Sequence, residues 1–139
     1  MLGTRTWSDW ASLALIGATL AAGLALRPEL PAEVAIHFSA AGEPDNYFGR
    51  DLAVLSMPAL MLATLLFMQA AGRYDPPEDP QVLRVVSLAT MLLLAAVQAF
   101  IFAWNLGYEP SFDLFLAGVA VWMIAVVGYA VSKEGVDLG

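Results

Sequence analysis

One short polar segment, residues 35–51 (AIHFSAAGEPDNYFGRD), stands out from its apolar surroundings and is the first place to look for chemistry. It holds the only histidine of the chain, His37, followed by the carboxylates of Glu43 and Asp45. One imidazole and two carboxylates are a minimal ligand set for a divalent metal, and two carboxylates could also serve as an acid and a base. The structural alternative is that His37 hydrogen-bonds within the segment and the acids are solvated, with an ion pair between Arg50 and Asp45 or Asp51.

The rest of the sequence narrows this chemistry. The chain has no Cys, which removes disulfides, thiolate metal sites and Cys nucleophiles together. A single His excludes a metal site built from several histidines of one chain. No nucleophile motif, glycine-rich phosphate loop or HExxH sequence accompanies the segment. We therefore expect a protein that is not an enzyme, with no catalytic residues, metal or cofactor.

Composition indicates that lipid surrounds the protein. The 139 residues suggest one domain, 1–139, and they are 60% hydrophobic with a mean hydropathy of +0.71. Average soluble domains are about 45–50% apolar, and small ones bury too little surface to hide such an excess. The net charge of −7 leaves no basic footprint, so we expect no nucleic-acid partner. The acid excess is also a compositional hint of a halophilic source.

Apolar runs predict an all-α membrane protein with four transmembrane helices. A spanning helix needs about 20 apolar residues, and we place the spans at about 8–27, 52–71, 84–106 and 112–131. Gly72 and Gly107 are plausible ends of the second and third helices, and Ser111 can cap the fourth. Pro58 either kinks the second helix or marks its start. The first run is read as a span and not as a cleaved signal peptide, because Asp9 interrupts its start.

Arg and Lys predict the orientation. Cytoplasmic loops carry more of these residues, a bias known as the positive-inside rule. One side has Arg5, Arg73, Arg84 and Lys133, whereas the other has Arg27 and Arg50. We therefore expect a multi-pass protein of the plasma membrane with both termini in the cytoplasm and the polar segment outside.

The loop at 28–51 between helices one and two is predicted to be a structured extracytoplasmic cap. At the membrane centre each charge would cost about 2.5–3.5 kcal/mol, so the loop lies outside the hydrocarbon. Alternation at Val34, Ile36 and Phe38 predicts a half-buried extended segment. "GEPDN" is typical of a turn, with Pro44 at its first central position and Asn46 in left-handed geometry. Asp51 or a neighbour could cap the next helix.

The same segment resembles a known family. V-x-I-H-F at 34–38 and G-x-P-D at 42–45, between two spans, look like the N-terminal membrane domain of unknown function of SdpI-type immunity proteins. The resemblance covers about residues 10–70, with Ala35 where Pro is common and Arg in place of Lys. Its eight signature residues are Pro31, His37, Phe38, Gly42, Pro44, Asp45, Tyr47 and Arg50.

The resemblance implies an integral membrane protein with an extracytoplasmic signature loop and no catalytic role for the loop. Members of the immunity branch protect a producer cell from its own secreted peptide toxin. They also relay the presence of the toxin by holding a repressor at the membrane. Those proteins have more spans than the four predicted for this chain, and their C-terminal half has no counterpart that we can match.

Three functional hypotheses follow. The leading one is a non-enzymatic envelope protein whose outer loop binds a peptide, protein or lipid ligand and whose cytoplasmic side passes on the result. The second is a subunit of a larger membrane complex or permease, with Gly and Ala faces that suit homo- or hetero-oligomers. The third, a metal-dependent membrane enzyme, rests only on His37, Glu43 and Asp45. The predicted spans carry no charge near mid-membrane, which argues against an ion-coupled transporter.

Overall fold

A computed structural model describes residues 6–134 of the chain; Arg5, used above to predict orientation, lies outside them. The described part contains four long helices and one small β-hairpin. In chain order these are α1 (Trp7–Leu26), a short 3-10 turn (Arg27–Glu29), β1 (Glu33–Phe38), β2 (Pro44–Gly49), α2 (Arg50–Tyr74), α3 (Pro80–Asn105) and α4 (Phe112–Glu134). All four helices are long and apolar enough to cross a membrane. The predicted fold class, a multi-pass all-α membrane protein, is confirmed.

The connection between α2 and α3 is shorter than predicted at both ends. Helix α2 continues through Gly72 to Tyr74, so the prediction that Gly72 ends this helix is wrong. A side chain at position 72 would collide with Leu83 of α3, so this glycine permits close packing of two helices. Helix α3 begins at Pro80, because Asp79 accepts a hydrogen bond from the amide of Gln81 and proline fits the first helical position.

Other predicted helix signals are confirmed. Gly107 adopts a left-handed conformation, with φ of 95°, directly after the end of α3. The Ser111 hydroxyl accepts a hydrogen bond from the Leu114 amide at 3.2 Å and caps α4. Pro58 lies inside α2 and is buried, and the helix starts well before it at Arg50.

The helices form a three-helix core with one peripheral member. Helices α1, α2 and α3 contact one another, whereas α4 packs against α3 alone. The indole N–H of Trp122, near the middle of α4, donates to the Ala89 carbonyl of α3 at 3.0 Å. Helix α4 has no buried residue. The face that α1 buries is small and polar, made of Ser8, Ser12, Thr19 and Gly23.

The chain runs up and down, so the bundle has two distinct ends. At the termini end, Gln69 donates to the Asp9 carboxylate at 2.9 Å, and the Glu78 amide donates to the Glu134 carboxylate at 3.2 Å. These bonds place both ends of the described chain beside the α2–α3 loop. At the hairpin end lie the β-hairpin and the α3–α4 turn.

The larger of two clusters of buried residues lies beneath the hairpin. One buried cluster joins the hairpin to the bundle and comprises Leu30, Val34, Ala53, Val54, Ile101 and Phe102. A smaller cluster lies nearer the middle and comprises Met61, Leu65 and Met91. Between them the Gln98 amide donates to the Ala53 carbonyl at 3.1 Å, about two turns from the hairpin end of α3. Gln98 thus bonds across helices.

Candidate functional site

The polar segment folds into an antiparallel hairpin. Strand β1 pairs with β2 in the register Glu33↔Gly49, Val34↔Phe48, Ala35↔Tyr47, His37↔Asn46 and Phe38↔Pro44. Ile36 on β1 and Asp45 on β2 have no partner in this register, so each strand is locally irregular. The loop at 28–51 is therefore structured, as the alternation of apolar residues predicts.

The turn lies earlier in the sequence than predicted. Ser39 and Glu43 close it, with the Ser39 amide donating to the Glu43 carbonyl at 2.8 Å. Gly42 supplies the left-handed conformation, with φ of 81°. The prediction of a turn over "GEPDN" is wrong, because Pro44 and Asn46 lie in β2. Proline is tolerated there as the first residue of a strand, where its missing N–H breaks no interior ladder bond.

One face of the hairpin packs onto the bundle. Val34 is fully buried, and Ile36, Phe38 and Phe48 pack against the same core cluster, which confirms the predicted alternation. The Phe38 ring lies 5.4 Å from Phe100, 5.1 Å from Trp104 and 5.8 Å from Phe112, between ring centroids. Such edge-on and tilted ring pairs add about 0.5–1.5 kcal/mol each beyond their buried area. Phe38 is therefore an anchor to α3 and α4.

A single amide at the end of α3 fixes the strand. Asn105 Oδ1 accepts from the Ala35 amide at 2.8 Å, and its Nδ2 donates to the Ala35 carbonyl at 2.9 Å and to the Ile101 carbonyl at 2.7 Å. The alternation predicts an exposed Ala35, yet it is only 2% exposed because α3 ends against it. The sequence alone does not single out Asn105 as a site residue. Its position at the last turn of an apolar run was the signal that could have identified it.

His37 and Asp45 form a pair on the opposite, exposed face. The distance from His37 Nδ1 to Asp45 Oδ1 is 2.6 Å, and the side chains are 67% and 45% exposed. His37 thus hydrogen-bonds within the segment, as the structural alternative expects. Within residues 6–134, no group of three His, Asp or Glu side chains is placed to hold a metal, so Glu43 does not complete a site with this pair.

Arg27 and Arg50, at the two ends of the loop, make contacts other than those expected. Asp51 pairs with Arg27, which joins the end of α1 to the start of α2. Gly49 is the N-cap of α2 and has no side chain to cap it, so the prediction that Asp51 or a neighbour caps this helix is wrong. The Arg50 guanidinium Nε donates to the Pro31 carbonyl at 3.4 Å and pairs with neither Asp45 nor Asp51.

The eight signature residues therefore divide into two groups. Five of them shape or hold the hairpin through turn geometry, strand start, ring packing or a backbone contact: Pro31, Phe38, Gly42, Pro44 and Arg50. The other three are His37, Asp45 and Tyr47, and the Tyr47 residue is 50% exposed. His37 and Asp45 contact each other across the two strands, and the exposed Tyr47 lies two residues beyond Asp45 on β2, so the three exposed residues lie close together on the hairpin.

Comparison with known proteins concerns this same part of the chain. Residues 14–62 match the family described as a domain of unknown function, DUF1648. The matched range contains most of α1, the whole hairpin and the first half of α2. No curated protein and no solved structure matches the chain. Asn105 of α3 and Phe112 of α4, which hold the hairpin from the other side, lie outside the matched range.

Proposed function

We propose that this protein is a non-enzymatic membrane receptor whose hairpin binds a peptide or protein ligand at the extracytoplasmic surface. One observation carries the proposal. His37, Asp45 and Tyr47 are held on a firmly packed hairpin, yet they are themselves exposed. Turn geometry, strand start, ring packing and a backbone contact account for the other five signature residues, whereas the bond between His37 and Asp45 leaves both side chains exposed and Tyr47 is also exposed. Recognition of a ligand would give these exposed side chains a role.

The fixed position of the hairpin favours recognition over a loose loop. Val34 is fully buried below it, and Asn105 holds its backbone from the side. A surface that is already ordered loses little conformational entropy when a ligand binds. The hairpin therefore offers a preorganised surface, as a binding site requires.

The proposal includes the orientation. The termini end of the described chain has Arg73, Arg84 and Lys133, and the hairpin end has Arg27 and Arg50. The positive-inside rule then places both termini in the cytoplasm and the hairpin outside. Because the chain has no Cys, a single introduced cysteine is a clean reporter. We expect an impermeant maleimide to label Tyr108→Cys in intact cells and Glu78→Cys only after permeabilisation.

The immunity role is the more specific form of this proposal. The DUF1648 domain is also found in SdpI-like proteins, which fits the resemblance of residues 31–50 to that family. In that form the ligand is a secreted peptide toxin, and the cytoplasmic side holds a repressor. The general proposal, ligand recognition by the hairpin, stands without it.

Photocrosslinking in living cells tests the general proposal. A photoreactive amino acid at Tyr47 is expected to give a discrete adduct with a peptide or protein. The matched control is the same probe at Tyr108, which is 78% exposed at the same end of the bundle but outside the hairpin. His37→Ala with Asp45→Ala is expected to abolish the adduct and leave membrane insertion intact. Crosslinks only to lipid or within the chain would show that the hairpin is a structural lid.

A second candidate is a subunit of a membrane complex or permease. Helix α4 favours it, because among the described helices this one packs only against α3 and buries none of its residues. Mass measurement after gentle detergent extraction discriminates the two. A stable complex with another membrane protein supports the second candidate, and a monomer that still gives the Tyr47 adduct supports the receptor.

A further inference from the structure

The outer edge of strand β2 is open. Among residues 6–134 the sheet has two strands, so β2 pairs with β1 on one side alone, and four of its six residues are exposed. Strand β1, in contrast, has both edges occupied, since β2 lies on one side and Asn105 on the other. An uncovered edge presents backbone donors and acceptors to a further extended chain. The hairpin is therefore a sheet with room for one more strand.

The register shows which backbone groups face that edge. The Arg50 amide donates to the Ala32 carbonyl at 3.0 Å, so this pair is hydrogen-bonded. Directly opposite residues alternate between bonded and non-bonded pairs along an antiparallel ladder. The pair Ala35↔Tyr47 is then non-bonded, which agrees with Ala35 turning its N–H and C=O to Asn105. By the same alternation, Tyr47 and Gly49 turn their amides away from β1, toward the open edge.

Asn46 covers part of the edge. Its side-chain Oδ1 accepts a hydrogen bond from the Tyr47 amide at 2.9 Å. Because both atoms belong to an exposed stretch of β2, an incoming strand can replace this short local bond. Asn46 thus competes with a ligand for the same N–H group.

Charge at the hairpin end selects the ligand. Residues 27–51 and 107–113 carry two arginines and seven acidic residues, a net charge of −5 with His37 neutral. Asp45 is on β2 itself, and Glu43 precedes it. Like charges placed opposite each other in a sheet repel, so the edge of a second copy fits poorly. A cationic chain is complementary.

We propose that the ligand of this protein is an extended, cationic peptide segment that adds as a strand to the open edge of β2, with Tyr47 and Gly49 as its backbone partners. This inference rests on the proposed receptor function and specifies the class of ligand and its mode of binding. Main-chain bonds at the edge supply affinity, and Asp45 with its acidic neighbours supplies the preference for Lys or Arg.

Synthetic peptides test the inference on the full chain in phosphatidylcholine nanodiscs, which lack anionic lipid. The probe is a fluorescein-labelled nine-residue peptide that alternates Lys with Val and Thr, and binding is followed by anisotropy. One control replaces each Lys by Glu, and another carries N-methyl groups on its interior amides, which keeps the charge but removes the donors. We expect only the unmodified cationic peptide to bind.

Matched variants of β2 sharpen the test. Asn46→Ala releases the Tyr47 amide and is expected to strengthen binding about fivefold, the equivalent of one net backbone hydrogen bond. Tyr47→Pro removes that amide, and a proline facing outward on an edge strand is tolerated. It is expected to bind about fivefold more weakly than Tyr47→Ala, which keeps the amide and lacks the same ring.

The outcomes separate this inference from the receptor proposal. The strand-addition mode is overturned by two results together: a cellular adduct at Tyr47 whose yield does not change in Asn46→Ala, and no selective binding of the cationic peptide. The receptor proposal would then still hold. Absence of any cellular adduct overturns the receptor proposal and this inference together. A dimer of the protein itself that Tyr47→Pro abolishes would show that a second copy occupies the edge, which also overturns the inference.

Discussion

The two ends of the bundle are closed in different ways. At the hairpin end, the buried core continues into the hairpin, and Asn105 makes two hydrogen bonds that fix β1 to α3. At the termini end, Gln69 makes a single hydrogen bond to Asp9, and α2 and α3 pack closely at Gly72 and Leu83 beside an open apolar groove of about 340 Å³. The difference indicates a fixed surface at one end and a more compliant region at the other.

This contrast suits a receptor that binds at one end and responds at the other. A recognition surface gains from order before the ligand arrives, whereas a region that changes its contacts needs low local stability. Mutations at the two ends test this contrast, since each one changes a contact, a backbone conformation or a buried polar group at one end and is compared with a matched site.

The largest effect is expected at Asn105. Asn105→Ala leaves the N–H and C=O of Ala35 without partners at a position only 2% exposed. An unsatisfied buried polar group costs about 1–3 kcal/mol, so we expect a loss of about 2–4 kcal/mol in the free energy of unfolding. Reversible unfolding in mixed micelles measures the loss, and hydrogen exchange is expected to show faster exchange across β1.

Two further variants locate the origin of that loss. Asn105→Asp keeps an acceptor for the Ala35 amide but places a carboxylate oxygen against the Ala35 and Ile101 carbonyls, so a loss at least as large as that of Asn105→Ala is expected. Asn46→Ala removes an exposed amide from the same hairpin and is expected to change stability by less than about 0.5 kcal/mol. If Asn105→Ala is as stable as Asn46→Ala, the hairpin end is not held more firmly than the rest.

Alanine variants of two glycines at the hairpin end distinguish the stability cost of backbone strain from the cost of crowded packing. Gly42 and Gly107 both have positive φ, at 81° and 95°. Alanine in this conformation costs about 1–2 kcal/mol, which is the full effect expected for Gly107→Ala, because no atom lies within 4 Å of its new Cβ. At Gly42 the new Cβ lies 3.3 Å from Cβ of Phe112, so Gly42→Ala is expected to lose about 1 kcal/mol more.

The same unfolding measurement checks the pair of glycines. The difference between the two variants reports how tightly the turn packs on α4. Equal losses would show that Phe112 moves aside at little cost, and the aromatic contact would then contribute little to the rigidity of the hairpin end.

What the sequence predicts well here is what depends on local periodicity. The four spans follow from apolar runs long enough to cross a membrane, and the alternation of Val34, Ile36 and Phe38 identifies the packed face of β1. The capping hydroxyl of Ser111 and the helix end at Gly107 also follow from local rules.

The sequence fails where distant contacts decide between local alternatives. "GEPDN" and "SAAGE" both contain turn formers, and the choice of the second depends on Phe38 and Phe48 both packing on the bundle. Asn105 bonds to Ala35 across 70 positions, which no local pattern reports. The pairing of Asp51 with Arg27 likewise depends on how α1 and α2 are placed. The candidate site was found by its composition, but its open edge was not.

A smaller effect is expected at the termini end. Gln69→Ala removes the bond from Nε2 to the Asp9 carboxylate, and hydrogen bonds between membrane helices average about 0.6 kcal/mol. Gln69→Asn shortens the side chain by one methylene, and its free energy of unfolding shows the effect of a weakened bond. A loss above about 2 kcal/mol in the unfolding measurement would show that the termini end is as firmly held as the hairpin end.

The last and smallest effect has the opposite sign. The Ser12 hydroxyl is fully buried and has no hydrogen-bond partner among the described residues. Ser12→Ala removes this unsatisfied group without opening much space, so the free energy of unfolding is expected to rise by about 0.5 kcal/mol. Ser8 is the matched control, since it is one turn away on the same buried face of α1 and its hydroxyl bonds to Thr6 at 2.9 Å.

Ser8→Ala is therefore expected to lower stability by about 0.5 kcal/mol, so the two alanine variants should move apart in sign. Opposite signs would show that polar groups near the termini end are incompletely satisfied, in contrast to the fully paired backbone of Ala35 at the hairpin end. If Ser12→Ala loses as much as Ser8→Ala, the Ser12 hydroxyl has a partner in the membrane. The two ends would then differ in packing alone, and the compliance proposed for the termini end would depend on its groove.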